Sequence, residues 1–258
     1  MRKISLLMIT KNSDTLLEQS LHSVMDFIDE IVIVDDGSTD DTLSIAKKYK
    51  ATIYSRHNLD LGSQRAYGLE KCRGEWILML DADEIVTDEL SQDIKRVISN
   101  NRLKSNTVGY YIPYQNHFLG KPIYHGGENY KILRLFKREA AVIFNNVIHE
   151  HVKVKGITAQ LKGKIYHYSY QSLYQTYKKF TDYARREAKR KVLYGENTSI
   201  KKVILYPLHM FYARYIKDKG YKDYSLRFLL DLGFAYMEWL TYIFMFFYKN
   251  EKKKTKNI

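Results

Sequence analysis

Two apolar runs in this chain each end in a cluster of carboxylates. Ile31-Val32-Ile33-Val34 runs into Asp35-Asp36-Gly37-Ser38, and Trp76-Ile77-Leu78-Met79-Leu80 runs into Asp81-Ala82-Asp83-Glu84. Runs this short and continuously apolar read as strands covered on both faces, as in a parallel sheet. Such sheets take ligands beyond the carboxyl ends of their strands. The pattern therefore fixes a fold class and a location for a site together.

The surrounding sequence alternates accordingly. Ile4–Ile9 reads as a first strand, and its shortness and lack of a small-residue cleavage site set it apart from a signal peptide. Residues 14–27 place Leu17, Leu21, Val24 and Ile28 at helical spacing. A helix over 40–49, a strand over 51–55, a helix over 63–71, a helix over 88–99 and a strand over 108–114 follow. The expectation is an α/β protein, a Rossmann-like, mostly parallel sheet with helices on both faces. Past residue 115 come short strand-like pieces rich in aromatics. Helical patterns follow at 173–192, 203–217 and 226–248, then the lysine-rich tail Lys249–Lys256, expected to be unfolded. We divide the chain at 170: residues 1–170 as the catalytic domain, 171–258 as a helical, basic and aromatic extension.

Composition narrows the classes. Cys72 is the single cysteine, which excludes an internal disulfide framework and a cysteine-based zinc site and fits a reducing cytoplasm. The net charge of +13 is uneven: residues 1–150 hold 19 Lys and Arg against 21 Asp and Glu, residues 151–258 hold 23 against 8. A basic C-terminal half of this kind faces nucleic acid, an anionic membrane or a phosphorylated glycolipid, or is simply solvated. Residues 228–248 carry Asp231 and Glu238 seven apart, with Tyr242 and Lys249 continuing the row. That predicts one polar stripe on a helix lying in a membrane interface. The alternative is packing against the rest of the chain or pairing with a second copy.

Chemically, a carboxylate pair after a strand can hold a hard divalent cation, and the cation can neutralise a diphosphate. Either cluster alone also reads as a turn or a helix cap. Their joint placement at strand ends favours a nucleotide site. A nucleotidyltransferase shares this logic, but the loop after the first strand, Thr10-Lys11-Asn12-Ser13-Asp14, has no glycine to cradle phosphates. A nucleic-acid-binding module is the other alternative; no zinc-finger, RRM or KH signature supports it.

Residues 4–90 resemble the nucleotide-sugar half of family 2 glycosyltransferases, through Thr10-Lys11-Asn12, Val34–Asp40, Gly62–Gly68 and Asp81-Ala82-Asp83. Lys131–Lys137, Val147-Ile148-His149-Glu150-His151, Ile165–Tyr168 and Phe211–Tyr215 are similar to the branch that builds lipopolysaccharide inner core, often as β-glucosyltransferases. The resemblance implies a GT-A fold and a metal-dependent, inverting transfer from a nucleoside-diphosphate sugar, such as UDP-hexose, to a glycan or glycolipid. It implies nucleotide-sugar binding by Thr10, Asn12, Asp35, Asp36, Arg65 and Asp81, with Asp83 ligating Mn2+ or Mg2+. Glu150 is the expected base, with His149 positioning it or helping at the metal. Arg134 and His167 are expected on the acceptor side. The expected partners are the donor, the acceptor and an anionic membrane surface, without nucleic acid, at the cytoplasmic face of the membrane.

Overall fold

The computed structural model describes residues 3–57, 60–99, 106–128, 130–144 and 151–254. The first stretch alternates as expected: β1 (Ile4–Thr10), α1 (Asp14–His22), β2 (Glu30–Asp35), α2 (Thr42–Lys48), β3 (Thr52–Ser55), α3 (Leu61–Lys71), β4 (Trp76–Asp81), β5 (Glu84–Val86) and α4 (Asp88–Ser99). Then come β6 (Thr107–Phe118), β7 (Lys121–Pro122), β8 (Lys131–Lys137), β9 (Ala141–Phe144), β10 (His151–Val154), β11 (Ile157–Gln160) and β12 (Ile165–Tyr170). The chain ends in α5 (Leu173–Leu193), α6 (Ile200–Phe211) and α7 (Arg227–Lys254).

Ten strands form one sheet among the described residues, in the order β3-β2-β1-β4-β8-β6-β12-β5, with β7 and β11 pairing β6. The half from β3 to β4 is parallel, and β8 turns the sheet antiparallel where it joins β4 and β6. Alternation along β1 explains why helices cover both faces. Ile4, Leu6 and Met8 pack with Leu17 and Leu21 of α1, Ala46 of α2 and Leu90 and Ile94 of α4, while Leu7 packs with Leu69 of α3 and Cys72. The periodicity over 14–27 overran α1, which ends at His22; Val24 stays buried in the turn beyond it, so an apolar residue one turn on mimics a longer helix.

The chain divides into two compact units, residues 1–115 with 130–167 and residues 116–129 with 168–258. In the second unit α7 lies against both α5 and α6. Tyr177 and Phe180 of α5 meet Tyr236 and Phe234 of α7, and Tyr206 of α6 meets Tyr242. The expected polar stripe of α7 therefore points inward. Asp231 is fully buried against Arg227 and Arg214, and Tyr242 is buried too. Arg227–Lys249 is long and apolar enough to cross a membrane by length and composition, yet it packs here as the central helix of its unit. Helix α7 also continues to Lys254, past the point where the lysines suggested an unfolded tail.

Candidate functional site

The two carboxylate clusters lie at the carboxyl ends of β1, β2 and β4. Register brings the two clusters to one edge: Thr10 is opposite Asp35, and Ile9 opposite Asp81.

The first cluster is a tied loop. Asp35 is buried, and one carboxylate oxygen accepts from the Thr10 and Ser38 hydroxyls at 2.8 and 2.5 Å. The other accepts from the backbone N–H of Gly37 and Ser38 at 2.9 and 2.8 Å. Gly37 sits at φ +80°, and a Cβ there would lie 2.7 Å from the His57 ring, so the turn needs glycine. Asn12 adds a strut, its side-chain oxygen accepting from the Thr39 N–H at 2.8 Å and its own N–H donating to Ser38 Oγ at 2.9 Å. Asp36 is left at the loop's mouth, beside Lys11 Nζ at 2.7 Å. Thr10, Asn12 and Asp35 thus shape the loop, and Asp36 presents its carboxylate.

The second cluster is an ionic knot. Arg65 on α3 donates to one Asp81 oxygen at 2.7 Å, and Arg134 on β8 donates to the other at 2.9 Å. Arg134 is itself buried, and reaches Glu84 at 2.6 Å and the Tyr114 hydroxyl at 2.5 Å. Glu84 is also buried; it accepts the Tyr114 hydroxyl at 2.6 Å and the Asp81 N–H at 3.0 Å. Burial pushes the Asp81 carboxyl up, but the two guanidiniums outweigh it and hold the group well below the usual carboxylate range. Glu84 moves the other way: burial, with Asp81 and Asp83 nearby, overcomes Arg134 and raises its pKa. Arg65 is therefore no solvated helix arginine, and Arg134 belongs to the centre of the carboxylate cluster.

Asp83 stands at the rim of this knot, near enough to raise the Glu84 pKa. Its carboxylate stands 3.6 Å from His167 Nε2, because β12 pairs antiparallel with β5 and sets His167 opposite Glu84. The His167 ring also meets Tyr114 edge-on. Among the described residues no three His, Cys, Asp or Glu side chains converge as a ready metal cage. His149 and Glu150 lie outside the described residues.

The family 2 glycosyl transferase model matches residues 5–165. The chain belongs to glycosyl transferase family 2. An uncharacterised glycosyltransferase of Rickettsia typhi is 30% identical over 215 residues, covering 77% of this chain and 71% of the relative. One from Rickettsia conorii is 31% identical over 212 residues, with 76% and 73% covered. Among solved structures, residues 1–349 of S. aureus TarS match over 96% of this chain and 92% of that one, at 14% identity and a TM-score of 0.47. The family 2 match spans both carboxylate clusters, Arg65, Arg134 and Tyr114, and it favours neither the nucleotidyltransferase nor the nucleic-acid reading.

Sequence reasoning missed two members of the second cluster. Glu84 was visible in the second cluster but carried no role, and Tyr114 looked like one more strand residue. Only the pairing of β8 with β4 and β6 brings Arg134 between them.

Proposed function

We propose that this glycosyltransferase moves a hexose from a UDP-hexose, with inversion, onto a hydroxyl of a glycan or glycolipid, such as lipopolysaccharide core or another cell-surface polysaccharide. The observation that carries the donor side is the division of labour in the second cluster: Asp81 is held by two guanidiniums, while Asp83, two residues on, turns to His167.

In this reading Asp36 accepts hydrogen bonds from the nucleoside, and the Asp35 loop fixes its direction. Arg65 and Asp81 line the diphosphate and ribose side. Asp83 and His167 supply one oxygen and one nitrogen donor, a set that suits Mn2+ or Mg2+ when diphosphate and water complete the shell. Such a cation, when bound, supplies positive charge that favours diphosphate departure. Asp81 suits direct ligation less, since both its oxygens are already bound by arginines. A sugar hydroxyl needs a base at neutral pH; Glu150 takes that proton, with His149 orienting it. Arg134 braces the cluster from within. The enzyme works at the cytoplasmic face of the membrane, where a lipid-linked acceptor is presented.

The test is a panel of nucleotide sugars with Mn2+ or Mg2+, read by thermal stabilisation, hydrolysis and the anomeric configuration of any product. Asp83→Ala should abolish metal-dependent turnover and leave the melting temperature near wild type. Wild-type turnover in that variant would remove Asp83 from the metal site, and a retained anomer would overturn inversion.

A further inference from the structure

We propose that α6, rather than the polar row of α7, docks this protein on an anionic lipid surface. Helix α6 packs one side on α7, where Phe211 meets Phe228 and Tyr206 meets Tyr242. Its other side has no cover within its unit. Ile200 is 73% exposed, Leu208 63%, and Ile204 and Tyr212 56% each, with Leu205 and Ile216 also exposed. At 100° per residue Ile204, Leu205 and Leu208 fall on one face, Tyr212 and Ile216 follow in the π-helical turn just beyond, and none of the helix's residues is buried. Isolated exposed apolar side chains are ordinary on a soluble surface; a continuous row of them marks an interaction site.

Charge selects the occupant. No Asp or Glu occurs between Glu196 and Asp218, while Lys201, Lys202 and Lys217 lie along that stretch and Lys219 follows it. Lys201, Lys217 and Lys219 are exposed. Cations beside an apolar face, with tyrosines among them, match the headgroup boundary of an anionic bilayer. A second copy would bring its own net charge of +13 against the same lysines, so like charges oppose that pairing. Helix α7 is excluded as the docking face over its inward row, since Asp231 is spent on Arg227 and Arg214.

This deepens the reading of a lipid-linked acceptor, but its test needs no transfer activity. The full chain is floated with vesicles of phosphatidylcholine alone and of phosphatidylcholine mixed with phosphatidylglycerol. Wild type should float with the mixed vesicles at low salt and stay behind with the neutral ones. The double variant I204E/L208E should lower the bound fraction at least about tenfold, with an unchanged melting temperature because both side chains are exposed. M25E, which charges an exposed apolar side chain in the other unit, should bind like wild type. Failure of wild type to float, or equal flotation of the double variant, would overturn the proposal. So would a dimer on size exclusion that the double variant dissolves, since the face would then belong to a second copy. Donor hydrolysis, measured without vesicles, reports separately on the transferase reading.

Discussion

At the scale of single residues, the site separates carboxylates by what surrounds them. Asp35 is consumed by four hydrogen bonds within its loop and Asp81 by two arginines, while Asp83 stands beside His167. Removing the Asp81 charge leaves two guanidiniums with one fewer carboxylate between them, so Asp81→Asn should cost about 3 kcal/mol at neutral pH, the low end for a buried pair because the side chain is 31% exposed. Folding lowers the Asp81 pKa, so the unfolded chain takes up the proton first as pH falls. The stabilisation is therefore full at neutral pH and is lost as pH drops through roughly 4 towards the folded value. Glu84, raised by burial, works in the opposite sense but is common to both proteins. Denaturant melts against pH should show the gap between wild type and variant closing below roughly pH 4; a gap that stays constant would mean the arginines do not act on the Asp81 charge. On the proposal that Glu150 is the base, Glu150→Gln should lower turnover by about 10²–10⁴-fold with donor affinity unchanged. Affinity lost with turnover kept would assign Glu150 to binding.

Among elements, the position of α3 matters most, because Arg65 rides on it. Gly68 sets how closely this helix approaches the sheet: a Cβ there would lie 2.4 Å from Leu7 Cδ1 and 2.9 Å from Val34 Cγ2. Gly68→Val must push α3 away from β1 and β2 or displace both side chains, a cost of about 1–3 kcal/mol. Because the same shift draws Arg65 from Asp81, turnover should fall along with the denaturation midpoint. Thermal and denaturant melts paired with donor turnover test this, and a loss of stability with full activity would show that α3 yields elsewhere. Helix α6 presents a different situation. Pro207 removes one backbone donor within it, and it passes into a π-helical turn over Tyr212–Lys217, so the expected helix at 203–217 is two segments.

For the whole molecule, charge and apolar surface act together. In the proposed docking, the excess of cations after residue 150 gives long-range attraction to an anionic surface, and the α6 row gives short-range burial. Only the first is screened by salt. Vesicle binding by wild type should therefore fall as the screening length shrinks from about 30 Å at 0.01 M to about 10 Å at 0.1 M, yet level off above zero. Binding that vanishes entirely with salt would mean the apolar row adds nothing.

The sequence by itself determined the alternation of strands and helices, the carboxylate clusters at strand ends and the family. Continuous apolar runs, helical periodicity and acidic turns are local signals, carried by neighbouring residues such as Trp76–Glu84. It could not assign partners, because these are made across long sequence gaps. Arg134 reaches Asp81 over 53 residues, and Asp83 meets His167 only through the β5–β12 pairing. The polar row on α7 carries the same lesson. Periodicity puts Asp231 and Tyr242 on one face, but whether that face meets water or other helices depends on where α5 and α6 pack. The ion pairs of Asp231 with Arg227 and Arg214 turned an expected outer stripe into an inner one.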